Sequence, residues 1–388
     1  MIMDHRKLSL FPILLAACLS LNSMPQNIET KNGVRIIHNE EEGEWKNGPQ
    51  VSLKLIRTLG GIDVEDENLA FNRPYDITMD KEGNLYILDT GNDRIQKFNP
   101  EGKYLDTIGR QGQGPGEFQN PLSLDIDSQG KLYVADQVAK KIHIFNPNGK
   151  AYKTLKISKY RIHYARYCEP ELVALGGLSR FVSPDEQNLP KLIKVFNLKG
   201  KLQYEFGDIF DYKDNWVNLW ANWFYFDVDD EGCFYLAFRH QNRIEKYSPG
   251  GDLMWKADRK LNYDTKPMDK GSTEGRSSRD IPKMNTVSSG ISTDNIGRVW
   301  VLTLIRQLSK EEEQRTSVIS GEGWRKTISK EGDEKIDVFK LEIFNSDGIL
   351  LGDLKLSHLA HDIRILKNYL FIWERNNSKF YQYEIVNK

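Results

Sequence analysis

The sequence predicts an all-β fold, a six-bladed β-propeller of four-stranded blades whose last blade is closed by the N-terminal strand. Three observations carry that prediction. The run Pro74-Tyr-Asp-Ile-Thr-Met-Asp80-Lys-Glu-Gly83-Asn-Leu-Tyr86-Ile-Leu-Asp89 returns as Pro121-Leu-Ser-Leu-Asp-Ile-Asp127-Ser-Gln-Gly130-Lys-Leu-Tyr133-Val-Ala-Asp136, each landmark displaced by 47 positions. Repetition at about 40–50 residues, built from short strands, signals radial or stacked architecture. Each unit also reads as four strands: Tyr75 to Asp80 alternates, Leu85 to Leu88 is continuously apolar, and Ile95 to Phe98 and Tyr104 to Ile108 are mixed. Finally, the last unit lacks one strand, and a lone strand of the outer type, Val51 to Gly60, stands ahead of the first unit. Joining the two removes an exposed edge.

Taken in order, the chain opens with a targeting pattern. Asp4-His-Arg-Lys7 is charged, and Leu8 to Ala17 is apolar but too short to span a bilayer, so residues 1–17 are expected to be a signal peptide. Leu15-Ala-Ala-Cys18 resembles the lipobox of bacterial lipoproteins, which implies cleavage before Cys18 and its lipidation. The alternative is an ordinary signal peptide cleaved a few residues later. Either way the chain is expected to be exported, anchored to the cell envelope by lipid or secreted. Residues 18–50 are polar without a clear period and read as a tether.

The propeller is expected over 51–388, with blades at about 71–110, 119–157, 161–207, 223–256, 288–356 and 360–386, the last completed by 51–60. Turn chemistry supports each hairpin. Lys-Glu-Gly83-Asn and Asn-Pro-Glu-Gly102 supply glycine where a tight turn needs positive φ. The third unit is degenerate, whereas the fourth repeats the pattern clearly at Asp229-Asp-Glu-Gly232-Cys-Phe-Tyr235. The fifth begins Asp294-Asn-Ile-Gly297 and resumes after an insertion at Leu341-Glu-Ile-Phe344.

Gly112-Gln-Gly-Pro-Gly116-Glu-Phe118-Gln-Asn-Pro121, followed by Gly130-Lys-Leu-Tyr-Val-Ala-Asp136, resembles the NHL-repeat six-bladed β-propellers. It is more closely similar to bacterial extracytoplasmic 6-bladed β-propeller proteins. The resemblance covers residues 71–157 best and 225–255 next. It implies the fold and little chemistry, because relatives include binding scaffolds, nucleic-acid binders and metal-dependent enzymes.

A net charge of −1 over 388 residues gives no electrostatic reason to expect a polyanion, and no nucleic-acid partner is expected. Cys168 and Cys233 fall near the first hairpin of neighbouring units. They read as two buried free thiols, with a disulfide as the alternative that export would permit.

The long insertions, Leu178 to Pro190, Asp208 to Trp223, Ala257 to Ser289 and roughly Arg306 to Glu334, all belong to second-to-third loops or blade crossings. These open on one face, which is therefore the expected functional face. There Trp216, Trp220 and Trp223 form the densest aromatic run. They read either as a stacking platform or as the core of a large loop. Arg239, His240 and Arg243 read either as a cationic cluster for a carboxylate or phosphate, or as a solvated loop with Arg243 repeating the role of Arg94 and Lys141.

Three motifs lead nowhere. The Gly112 to Gly116 stretch precedes a strand where a phosphate loop needs a helix. Asp125-Ile-Asp127 and Asp227-Val-Asp229 lack the bidentate glutamate of a calcium loop and read as hairpin turns. The histidines show no linear metal-ligand spacing, although His163, His240 and His361 lie near candidate channel mouths of different blades. The leading expectation is a recognition module, monomeric and without a cofactor, for a peptide, glycan or protein of the envelope. The competing one is a metal-dependent hydrolase or lyase with calcium or zinc in the central channel, where His163, His240 or His361 would point in beside a carboxylate. A plain scaffold is the third.

Overall fold

The computed structural model describes residues 27–61, 64–157, 159–160, 162–178, 189–265, 284–312, 318–321, 324–327, 336–375 and 377–388. The expected signal peptide and Cys18 lie outside the described residues. Six blades of four antiparallel strands surround a common axis, the fourth extended by two further strands from the N-terminal segment. From the innermost strand outward, blade 1 is Pro74–Met79, Leu85–Asp89, Arg94–Phe98 and Tyr104–Ile108. Blade 2 is Pro121–Ile126, Leu132–Asp136, Lys141–Phe145 and Ala151–Lys156. Blade 3 is Tyr164–Cys168, Leu172–Gly176, Lys191–Asn197 and Leu202–Asp208. Blade 4 is Phe224–Val228, Phe234–Phe238, Ile244–Tyr247 and Leu253–Arg259. Blade 5 is Ser288–Thr293, Val299–Leu304, Phe339–Phe344 and Leu350–Lys355. Blade 6 is Asp362–Leu366, Tyr369–Glu374 and Lys379–Asn387, closed by β3 (Val51–Gly60).

The sequence repeat has a local cause. In blade 1, Asp80 accepts from the Asn84 amide (2.8 Å) and the Tyr86 hydroxyl (3.0 Å), while Gly83 turns the chain at φ +89°. Asp127 with Tyr133 and Asp229 with Tyr235 repeat the arrangement, and Trp300 replaces the tyrosine beside Asp294. One aspartate thus caps a turn and anchors the aromatic ring of the next strand. Asp89 and Asp136 do a second job, accepting from the Asn72 and Gln119 amides and so tying each blade crossing to its second strand. Between blades the core is apolar, with Phe98, Phe118, Phe145, Phe234, Trp300 and Trp373 fully buried.

The segment expected as a tether is built into the fold from Asn27 onward. β1 (Asn27–Lys31) and β2 (Val34–Asn39) form a hairpin through Asn32 and Gly33, both at positive φ. β2 then pairs in parallel with the outer strand of blade 4. Ile37 enters the core, and Asn39 bonds to Asp258 and Gly348 carbonyls and the Leu350 amide. Glu44 and Trp45 amides donate to Leu350 and Leu351 of blade 5, with the Trp45 ring against Gly352. Composition suggested a tether; backbone pairing and a few apolar anchors override it. Cys168 and Cys233 are free and buried, and no bridge joins them.

Candidate functional site at the mouth of the central channel

The innermost strands bring charge to the axis. Arg364 of blade 6 reaches Asp76 of blade 1 (3.2 Å) and Asp125 of blade 2 (2.5 Å), and donates to the Ile77 and Leu124 carbonyls. Arg166 of blade 3 pairs with Asp76 (3.0 Å) and with Asp227 of blade 4 (3.6 Å). Ser292 of blade 5 donates to Asp227 (2.9 Å) and accepts from the Ile365 amide. Ser123 completes the set beside Asp76 and Arg166. All these side chains are buried, and their bonds run across all six blades, so the network is a floor and not a passage. Burial alone would raise the Asp76 carboxyl, but Arg166 and Arg364 outweigh it and hold it below its ordinary value.

Above the floor, on the face of the crossings and second-to-third loops, lies a ring of aromatic and cationic groups. Tyr164, Tyr225 and Asp362 stand near the starts of innermost strands, while Arg239 and Arg375 follow the second strands of blades 4 and 6. Arg375 lies 4.0 Å over the Tyr75 ring and 3.6 Å from Asp362. Tyr164 packs between Tyr75 (6.4 Å) and Tyr225 (5.5 Å), and its hydroxyl is 3.4 Å from Asp362 Oδ2. Arg239 donates to the Tyr225 hydroxyl (2.7 Å). Tyr75, Arg239, His361 and Arg375 remain partly open to solvent. Gly290 admits this packing, because a Cβ there would collide with Asp362 and the Ile363 amide.

Burial raises Asp362 to about 7, although Arg375 pulls the other way. An aspartate with a folded value above its unfolded one holds more protons when folded, so stability falls as pH rises from about 4 to about 7. Asp362→Asn is therefore expected to stabilise the protein at pH 8 by on the order of a few kcal/mol and to lose that advantage below about pH 4. Urea unfolding of both chains across that range measures it. A pH-independent difference would mean an aspartate of ordinary acidity.

The sequence candidates fall into separate places. Trp216 lies in α1 (Asn215–Ala221), within the blade 3-to-4 crossing, and its side chain lies outside the described residues. Trp220 and Trp223 stack on each other at 5.7 Å, and Trp223 also meets the His163 ring at 4.8 Å. His163, Leu219, Asn222 and Trp223 leave a void of about 20 Å3, room for about one water. Trp220 and Trp223 thus pack against each other within the crossing.

Arg243 is committed to Glu245 (2.8 Å) and the Asp208 carbonyl (2.8 Å), with its guanidinium over Phe238. His240 bonds the Asn285 carbonyl through Nδ1 (3.0 Å), and burial and then Arg239 lower it to about 4. His361 accepts from the Arg375 amide at Nδ1 (3.3 Å), and burial, then Arg375 and Arg239, lower it to about 3. Among the described residues His163, His240 and His361 do not fall together in a group of three or more possible metal ligands. The group that does converge, Asp229, Glu231 and Cys233, sits in a first-to-second turn, where Asp229 already caps the hairpin.

Of the proposed binding residues whose side chains are described, Arg239 reaches the mouth. Sequence reasoning missed Tyr75, Asp76, Arg166, Asp362, Arg364 and Arg375. The available signal was polar residues inside innermost strands that should be buried, such as Asp125 and Asp227, which were read as turn residues.

A second concavity on this face, about 430 Å3, is lined by Phe210, Tyr212, Asn242, Arg243, Lys256 and Asp258 among others. Three of its polar side chains are already paired: Asn242 with Arg259, Lys256 with Glu245, and Asp258 with His38.

This architecture is that of a six-bladed β-propeller. Residues 62–173 match the family model DUF5128, described as a 6-bladed beta-propeller. No curated protein sequence matches the chain. Among solved structures, a member of the DUF4221 family from Bacteroides vulgatus is 13% identical with a TM-score of 0.55, over 87% of this chain and 99% of that one. A protein from Bacteroides fragilis described as exported is 11% identical with a TM-score of 0.55, over 91% and 99%. Virginiamycin B lyase from Staphylococcus aureus is 14% identical with a TM-score of 0.48, over 86% and 100%. At such identities the likeness concerns the fold alone.

Proposed function

We propose that this chain is a recognition module of the bacterial cell envelope. It is exported, held to the membrane by lipid on Cys18 where the lipobox reading applies, and acts as a monomer. The propeller seats a peptide, a glycan or part of a protein at the loop-side mouth of its channel. The observation that supports this reading best is the closed floor beneath a partly open ring of Tyr75, Arg239, His361 and Arg375. A scaffold needs no such ring, and recognition sites combine aromatic walls with a few placed polar groups.

Immobilised full chain, native or Arg375→Gln, exposed to digests of envelope protein and cell-wall glycan, tests the reading. At least one species is expected to bind the native chain about tenfold more tightly, the effect of one lost charge-assisted contact. If every retained species binds both chains equally, the mouth is not the site.

A further inference from the structure

We infer that the ligand presents an oxyanion, a carboxylate or a phosphate, to the wall formed by Arg375, Tyr75, Tyr225 and Arg239. This rests on the mouth being the recognition site and names the chemistry it selects. The argument is one of donors and acceptors. A guanidinium carries five N–H donors and no acceptor. Arg375 Nε and Nη2 have no hydrogen-bond partner among the described residues, Nη2 being 3.6 Å from Asp362. The Tyr75 hydroxyl makes no hydrogen bond among the described residues. The Tyr225 hydroxyl accepts from Arg239 and keeps its own proton to give, and Arg239 engages a single nitrogen in doing so.

Acceptors are few and mostly taken. His361 Nδ1 receives the Arg375 amide, and Asp362 already faces Tyr164, the Ile363 amide and Arg375. The wall thus carries two guanidiniums and one carboxylate, of which only Arg375 lies beside Asp362, and burial raises that carboxyl to about 7. The floor holds three carboxylates, Asp76, Asp125 and Asp227, against two guanidiniums, but all three are engaged by Arg166 and Arg364, and among the described residues none lies within ion-pair distance of Arg375 or Arg239. A neutral sugar hydroxyl would accept a hydrogen bond but leave Arg239, which has no ion pair among the described residues, without a counter-charge. An oxyanion meets both needs, through short charge-assisted bonds. The Tyr75 face, already carrying Arg375, keeps that guanidinium flat and limits the entropy lost on binding.

The test is thermal unfolding of the full chain in about 50 mM acetate, succinate, phosphate or glycerol phosphate, against chloride at equal ionic strength. Binding that stabilises only the folded state is expected to raise Tm by about 2–5 °C with at least one oxyanion. A carboxylate response points to peptide ends or acidic sugars, and a response confined to the phosphates points to phosphorylated glycan or lipid headgroups. The rise should vanish in Arg375→Gln and shrink in Tyr75→Phe, which keeps the ring and removes the donor. Near-UV circular dichroism checks that both variants fold, and Arg239→Gln serves if Arg375→Gln does not. No oxyanion outperforming chloride, or an equal rise in the variants, overturns the inference. Failure of the wider reading looks different. A neutral glycan retained in an Arg375-dependent way would keep the mouth as the site and discard the oxyanion, whereas Arg375-independent binding discards both.

Discussion

Arg364→Met is expected to lower stability by about 3–5 kcal/mol, or about 4–7 °C in Tm, read by urea and thermal unfolding. Arg364 is the hub of the floor, contacting Asp76, Asp125 and two backbone carbonyls from two other blades. Methionine fills similar volume but leaves Asp125 without its guanidinium and two buried carbonyls without a donor, and those orphaned groups dominate the cost. Arg364→Lys keeps a charge but cannot reach four acceptors at once, so it should fall between native and Met. The same change has a pH signature. Asp76 lies below its ordinary value through Arg166 and Arg364, so the stability it contributes is present above about pH 4 and lost as pH falls through its folded value. In Arg364→Met that acid-side loss should begin at a higher pH. If the variant costs under about 1 kcal/mol, the floor is hydrated and its ion pairs behave as surface pairs.

The second large effect is expected from the N-terminus. A chain beginning at Val51 should fold, because β3 still completes blade 6. A chain beginning at Gly61 should not unfold cooperatively at all. β3 contributes nine paired positions to the blade 6 sheet and buries Val51 and Leu59. Without it, the long strand Lys379–Asn387 becomes an unpaired edge and the ring loses the contact that ties its two ends. Removing only residues 27–50 deletes Ile37, Asn39 and Trp45 and uncovers their partners in blades 4 and 5, for an intermediate loss. Size-exclusion chromatography and thermal melts of the three chains separate these outcomes. A folded, monomeric chain beginning at Gly61 would show that closure contributes little.

These two cases also mark what the sequence reveals. β3 was legible because strand count and turn spacing are local and repeat: Asp80, Gly83 and Tyr86 announce a hairpin without reference to anything distant. The β1–β2 hairpin was equally announced by Asn32-Gly33 between alternating residues, and polar composition concealed it. The floor and mouth were not legible, since each blade supplies one or two members and no linear spacing links Asp76 to Arg364. Aromatic density drew attention to Trp220 and Trp223, which the crossing uses for its own packing. Arg375 and Tyr75 carry no motif and matter only through where the ring closure sets them.

The parallel pairing of β2 with blade 4 has a mechanical consequence. A load applied at Asn27 acts first on the β1–β2 register, whose open end, Asn27 opposite His38, peels one hydrogen-bonded pair at a time. β2 and the Glu44 and Trp45 contacts are next in line, and the closing strand β3 feels tension only after they yield. The hairpin therefore works as a fuse: it can extend under tension at the N-terminus while the ring stays shut and the mouth keeps its shape.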